Sequence, residues 1–380
     1  MSLVLDGVQR DIPIIPRLKE TYMAKIIYGV SGEGSGHSSR AKEMAGHLVK
    51  QGHDVRLASY DRGFRNLSED FDVVEIEGLH IASEDNQVSK VKTFTENIKK
   101  IPEGQKKLND FRHKIFKEFE PDVAITDFEP MTAYLANYYD VPLITIDNQH
   151  RMRYMNYSCP ENLDKDRKVT ETVIRAMVPK PDVSLVTTFF FGEVKNERTF
   201  LFPPILREEV LALNPSDEGH ILVYLTSGFD SFLDILKPFE REKFLVYGYD
   251  RDDADGPIQY KPFSKQGFLD DLASSKAVMA TAGFTLMTES LYLKKPYLAM
   301  PMNGQFEQEL NGMWLDELGL GKNVRDISSD VVGDFLYRLP EYQKEVSSYD
   351  AQDNTAIKNR LDELLADDCK SIRSFHENRK

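Results

Sequence analysis

Short apolar runs alternate with longer amphipathic stretches along this chain. In the first half the runs are Lys25–Val30, Asp54–Ser59, Asp72–Ile76, Asp122–Asp127, Pro142–Asp147 and Asp182–Thr187. Their Val/Ile-rich centres have the length of strands buried on both faces of a parallel sheet. Helical patterns over Ser39–Gln51 and Pro130–Tyr139 fit between them. A second series comprises His220–Thr226, Lys243–Tyr247, Ala277–Thr281 and Pro296–Met300. This alternation predicts an α/β fold with parallel sheets. Between the series, Asn196–Glu218 carries Pro203, Pro204 and Pro215 and reads as a linker. The tail over Asn354–Leu365 reads as a helix with Ile357, Leu361, Leu364 and Leu365 on one side. The expected organisation is an appendage at 1–22, a first domain at 23–195, a linker at 196–218 and a second domain at 219–340. C-terminal helices follow over 341–380.

Composition sharpens this outline. A chain of 380 residues exceeds one average core, so two domains are expected. The net charge of −14 argues against general nucleic-acid binding. Cys159 and Cys369 have no metal or redox spacing and suit a reducing, cytoplasmic compartment. No apolar run approaches the ~20 residues that span a bilayer. Residues 1–22, broken by charges and prolines ahead of Met23, do not read as a secretory signal. Lys90–Phe119 departs from the acidic average, with nine Lys/Arg against four Asp/Glu, 9 − 4 = +5. Phe94, Ile98, Ile101, Leu108, Phe111, Ile115 and Phe119 recur there at near-helical spacing. Two surface helices with a core face explain this stretch; the alternative is a peripheral contact with an anionic inner membrane face or a lipid-linked acceptor.

The densest chemistry lies in Thr281–Asn311. Gly283 follows an apolar run and precedes a helix beginning with Phe284, Thr285 and Thr288. A helix start after a glycine turn offers free N–H groups and a partial positive charge, a ready site for phosphate. Glu289 lies one turn inside, where a carboxylate can accept two hydrogen bonds from a diol such as a ribose. Glu307, Gln308 and Asn311 then sit where a hydroxyl-rich ligand could be held. An ordinary β-α-β unit with a polar loop is the bland alternative.

Near the N-terminus, Lys25–Val30 feeds Ser31-Gly32-Glu33-Gly34-Ser35-Gly36-His37 and then a helix. Glycines at Gly34 and Gly36 let a backbone approach a ligand closely. The spacing departs from the dinucleotide-binding Gly-x-Gly-x-x-Gly. Asp127 ends a strand at the carboxyl edge, where α/β sheets place ligands. It could orient an imidazole or cap the helix near Pro130. Asp147-Asn148-Gln149-His150 ends the next strand; Gln149 and His150 are candidates for acceptor contact, a polar loop being the alternative. The acidic Asp250–Asp255 turn contains D-x-D twice but lacks the spacing of a calcium loop, and reads as solvated.

These motifs together resemble the GT-B glycosyltransferases. Gly283, Glu289, Glu307, Gln308 and Asn311 match the donor motif of UDP-dependent glycosyltransferases and of the family-28, peptidoglycan N-acetylglucosaminyltransferase type. Thr281 stands where plant and animal members usually carry His, as in the bacterial branch. The Gly34–His37 loop resembles the Gly-x-Gly-Gly-His loop of those bacterial enzymes. Asp147–His150 and Pro203–Arg207 also resemble a group of bacterial and archaeal glycosyltransferase-like proteins. The resemblance implies two Rossmann-like domains facing across a cleft, with the final helix crossing back to the first domain. It implies an inverting hexosyltransferase using a UDP-sugar as co-substrate, without cofactor or metal, in surface glycan or glycolipid synthesis. His37 would be the general base, taking the acceptor proton, or a helix-capping or phosphate-binding residue. Ser227 and Gly228 would meet the donor phosphates, and Phe263 would pack on the base or in the core. A UDP-sugar 2-epimerase of the same fold, or a non-catalytic sugar-nucleotide-binding protein, are the alternatives.

Overall fold

The structure, a computed structural model, describes residues 22–78, 83–84, 87–88, 101–225 and 230–379. The apolar runs become strands. In the first half these are β1 (Lys25–Val30), β2 (Asp54–Ser59), β3 (Val73–Glu75), β6 (Val123–Asp127), β7 (Leu143–Asp147), β8 (Val183–Thr187) and β9 (Thr199–Phe202). They form one parallel sheet in the order β3-β2-β1-β6-β7-β8-β9. Short β4 (Ser83–Glu84) and β5 (Gln87–Val88) pair separately. The second half supplies β10 (His220–Tyr224), β11 (Lys243–Tyr247), β12 (Ala254–Asp255), β13 (Ile258–Tyr260), β14 (Ala277–Thr281), β15 (Tyr297–Met300) and β16 (Gly321–Asn323). Their order is β12-β13-β11-β10-β14-β15-β16, parallel except for β12 on β13.

Several expected boundaries shift for identifiable reasons. Pro142 and Pro296 stand just outside their strands, since proline brings no N–H to a ladder. Asp122 and Asp182 also stand outside; their carboxylates accept the backbone N–H of Lys25 at 2.9 Å and of Leu143 at 2.8 Å. The linker is shorter than the expected 196–218, because Thr199–Phe202 pairs with β8 as an edge strand. The return to the first domain also starts later than residue 341. Helices Ser329–Tyr337 and Leu339–Ser348 still pack on the second domain, through Val332, Phe335 and Tyr342.

Both faces of the first sheet are covered. Ile26, Tyr28 and Val30 meet the Gly36–Lys50 helix through Ala41, Met44, Ala45 and Leu48. Ile27 and Ala58 meet Ala133 and Ala136 of the Pro130–Tyr138 helix on the other face. Phe111, Ile115, Phe116 and Phe119 join that second cluster from an α-helix (Ile101–Phe111) continuing as a π-helix (Arg112–Phe119). The core face expected for this stretch is therefore present; 89–100 lie outside the described residues. The final helix, Thr355–Glu377, extends twelve residues past the expected end at Leu365, with a kink at Ala366–Cys369. It lays Ile357, Leu361, Leu364 and Ile372 on the first domain. His376 fastens it there, with Nδ1 2.9 Å from Asp182 and Nε2 3.1 Å from Asp140.

Candidate active site

In each sheet the strand order reverses beside the strand that starts the domain, β1 in the first and β10 in the second. Ligands of open α/β sheets lie outside the carboxyl ends of strands at such points. At the first switch point β1 and β6 end side by side, with Val30 opposite Asp127. The loop after β1 holds Gly34 at φ +72°, a left-handed conformation that glycine adopts without strain. The following helix starts at Gly36, three residues earlier than the hydrophobic pattern predicts. His37 therefore lies in its first turn.

Asp127 is fully buried and receives donors from both His37 and Arg40. His37 Nδ1 lies 2.7 Å from its Oδ1. Arg40 donates from Nε to Oδ2 at 2.8 Å and from Nη2 to Oδ1 at 2.6 Å. Arg40 Nη2 also lies 3.2 Å from His37 Nδ1, but guanidinium only donates, so these two donors both serve the carboxylate. His37 is thus the Nδ1–H tautomer, and a neutral ring keeps its Nε2 lone pair free. Burial disfavours the charge on Asp127, yet Arg40 and His37 outweigh it and hold the carboxyl below its ordinary range. The cap of the next helix is Glu129, not Asp127. Glu129 accepts from Met131 N at 2.7 Å and Thr132 N at 2.8 Å. Phe128, between Asp127 and Glu129, takes a left-handed φ of +54°. Arg40 was not marked by the sequence, because an arginine on a helix beside Ser39 and Lys42 reads as solvated.

The donor segment faces this dyad across the interdomain seam. Gly283 is the N-cap of the Phe284–Tyr292 helix, with no side chain capping it and no acidic residue in its first turn. Its φ of −67° and open surroundings show that glycine is not sterically required here. Gly36 comes close to the same helix: a Cβ added there would lie 2.5 Å from Thr285 Oγ1. Phe284 is buried.

Glu289, Glu307 and Asn311 of the donor segment engage groups of the linker or the first domain. Glu289 takes Arg207 of the linker in a bidentate pair, at 2.7 and 2.6 Å. Burial pushes its carboxyl up and Arg207 opposes that. Both its oxygens are thus held by guanidinium in this structure. Glu307 accepts from Asn148 Nδ2 at 2.6 Å and from Gln149 Nε2 at 3.1 Å. Asn148 in turn accepts from Arg40 Nη1 at 3.1 Å. One chain of hydrogen bonds therefore runs from the His37–Asp127 dyad through Arg40 and Asn148 to Glu307. Asn311 is fully buried; its Oδ1 accepts from Arg151 and its Nδ2 donates to Ala282 O at 2.8 Å. Gln308 accepts from Met302 N at 3.0 Å and donates to Gln305 at 2.8 Å, so it shapes the loop before its helix.

The remaining expectations have mixed placements. Gln149 meets Glu307 rather than open surface, and His150 is enclosed. His150 Nδ1 lies 2.7 Å from Asp147, whose other oxygen accepts the His150 backbone N–H at 2.9 Å. Phe263 is 72% exposed, which removes the core alternative. Ser227 and Gly228 lie outside the described residues. The Asp250–Asp255 turn is exposed, with Arg251 paired to Asp253 at 2.5 Å. Among the described residues no group of three or more His, Cys, Asp or Glu could hold a metal ion, and no helix is long and apolar enough to cross a membrane.

Comparison with known proteins agrees with this fold. The model of "Glycosyl transferase family 1" matches residues 24–340. An uncharacterized glycosyltransferase of Methanosarcina mazei is 27% identical over 334 residues, 78% of this chain and 85% of its own. One from Methanosarcina acetivorans is 25% identical over 332 residues, again 78% and 85%. Among solved structures, the glycotransferase of kitacinnamycin superposes with a TM-score of 0.63 at 15% identity, covering 93% of this chain and 99% of that one. The glycosyltransferase VinC, solved in complex with dTDP, gives 0.59 at 15%, covering 89% and 99%. With two parallel sheets meeting at their switch points and the family model spanning both, the chain belongs to glycosyl transferase family 1 and is a glycosyltransferase of GT-B fold.

Proposed function

We propose that the chain moves a sugar from a nucleoside diphosphate sugar, UDP-linked, to an acceptor hydroxyl with inversion at the anomeric carbon. The observation that carries this is the His37–Asp127 dyad standing across a narrow seam from the uncapped start of the Phe284–Tyr292 helix. Asp127 fixes the imidazole with Nδ1 protonated, and Nε2 accepts the proton of the acceptor hydroxyl. The acceptor oxygen then attacks the anomeric carbon as the bond to the diphosphate breaks. The pair of electrons leaves with the diphosphate, toward free N–H groups and the positive end of the helix. This route draws on no metal.

Glu307 and Gln308 would read sugar hydroxyls, with Asn148 and Gln149 yielding Glu307 to the ligand. Glu289 would serve the ribose only if Arg207 shares it; a bidentate carboxylate keeps further lone pairs for a diol. Phe263, largely exposed, suits stacking on the base. The acceptor is proposed to be lipid-linked and presented at the cytoplasmic membrane face, near the basic 90–119 stretch. Flotation with anionic vesicles tests this, and absence of binding sinks it.

The central test is a thermal-shift panel of UDP-, GDP- and dTDP-sugars. A ligand at 100 times its Kd adds about 2.7 kcal/mol of stability. UDP-sugars should stabilise most, and His37→Ala should keep that shift while losing about 10²–10⁴-fold in turnover. EDTA should leave turnover unchanged. If no nucleotide sugar stabilises the protein, or His37→Ala turns over normally, the reading is wrong. Interconversion of a UDP-sugar without acceptor would replace it by epimerisation.

A further inference from the structure

We propose that Arg151, carried by the first domain, is the cation that binds the diphosphate of a nucleotide sugar seated on the second. This inference rests on the donor reading above and adds a residue that neither the motif nor the family match assigns.

Arg151 is fully buried, and among the described residues it has no carboxylate partner. One nitrogen, Nη2, donates to Asn311 Oδ1. Its Nε and Nη1 are buried without a hydrogen-bond partner among the described residues. The guanidinium instead lies over two aromatic faces, 4.9 Å from the ring centre of Phe284 and 5.5 Å from that of Phe190. Cation–π contact offsets only part of what a buried charge loses on leaving water. Burial accordingly lowers the Arg151 pKa to about 10, against the pull of Glu307. A second arginine 111 residues away in the chain, Arg40, shows the ordinary solution in the same protein: it is buried with a carboxylate gripped in both arms.

Position gives the unpaired charge its meaning. Phe284 is the first residue of the helix whose N–H groups lack a cap, and Asn311 ties Arg151 to the carbonyl of Ala282 just before it. The guanidinium thus sits beside the uncapped start of the Phe284–Tyr292 helix, where an anion is favoured. Glu307 is near enough to act on Arg151 electrostatically, yet both its oxygens accept from neutral amides of Asn148 and Gln149. The cation is left for a ligand with two negative centres. A nucleoside diphosphate offers oxygens for Nε and Nη1 together, in the fork geometry that guanidinium prefers. A monophosphate, anchored by the same base and ribose, ends one phosphate short.

The test compares UDP, dTDP and UMP binding by calorimetry in the wild type and in Arg151→Met, with melting temperatures recorded without nucleotide. The wild type should prefer the diphosphates over UMP by 10²-fold or more. In Arg151→Met that preference should collapse to within about threefold, while UMP affinity stays within about threefold of the wild type. An unpaired buried charge replaced by an apolar side chain of similar length should also leave melting unchanged or raise it. Arg151→Lys, which keeps charge but not the fork, should retain an intermediate preference. A folded Arg151→Met protein that still prefers UDP as the wild type does overturns the proposal by assigning Arg151 a structural role. If the methionine variant does not fold, Arg151→Lys decides: an undiminished UDP preference overturns the proposal, an intermediate one supports it. A wild type that binds none of the nucleotides instead sinks the donor reading itself.

Discussion

Asp127 shows how one residue's surroundings set the chemistry of its neighbour. Its buried carboxylate both orients the partly exposed His37 and neutralises Arg40. Asp127→Asn should replace a pure acceptor by a group that can donate, freeing the imidazole to take the other tautomer. Turnover should fall by about 10²–10⁴-fold with nucleotide binding preserved; unchanged turnover would deny Asp127 its orienting role. Arg40→Met acts on stability. Removing one partner of a buried ion pair costs about 3–5 kcal/mol. The pH dependence should also change sign. In the wild type the folded carboxyl lies below its ordinary 3.8, so its contribution is complete above that value and is lost as pH falls through the lower folded value. Without Arg40, burial dominates and lifts the folded value above the unfolded one. The unfolded state then releases its proton first, and stability falls as pH rises between about 4 and 7. Urea melts across that range should show no Asp127-dependent slope in the wild type and a falling stability in Arg40→Met; parallel profiles would mean that Arg40 does not govern Asp127.

Between elements, single side chains do the joining, and this is where the sequence is hardest to read. Asn354 precedes the final helix and clasps Leu206 of the linker, accepting from its N–H at 2.8 Å and donating to its carbonyl at 2.7 Å. Asn354→Ala would orphan two buried backbone groups at about 1–3 kcal/mol each. A loss below about 0.5 kcal/mol in a denaturant melt would show that the return of the chain is not fastened there. The strands themselves were legible, because Val/Ile runs such as Val123–Asp127 and Val183–Thr187 must be buried on both faces. The glycine turn, His37 and Asp127 were legible too, since they stand at strand ends where ligands lie. The pairings of Arg40, Asn148, Arg151 and Arg207 were not. Their partners lie 82 to 160 positions away, and on a helix or loop an arginine has the same local signature whether it is solvated or buried. Thr199–Phe202 was missed as a strand because four residues beside two prolines look like linker.

At the scale of the molecule, the two domains share an apolar seam as well as the hydrogen-bonded chain through Asn148. Met152, Met155, Phe189 and Phe190 of the first domain belong to one cluster with Ala282, Phe284 and Met287 of the second. The chain's single tryptophan lies in this seam: Trp314, on the Phe306–Glu317 helix, stacks on Phe190 with ring centres 4.5 Å apart and planes 7° from parallel. A donor that must reach Arg151 and Glu307 therefore has to part this stack before the domains can reclose on it. Opening should precede binding and limit its rate, since the binding-competent form is only a fraction of the free protein. Trp314 makes this measurable without a label, because its emission shifts to the red as the indole meets water. Phe190→Ala removes a stack worth about 0.5–1.5 kcal/mol beyond its buried area and loosens the seam. The variant should show red-shifted emission, easier quenching by acrylamide, and a faster association of UDP in stopped flow. An association rate equal to the wild type's, with the emission shift present, would mean that the nucleotide enters without parting the domains.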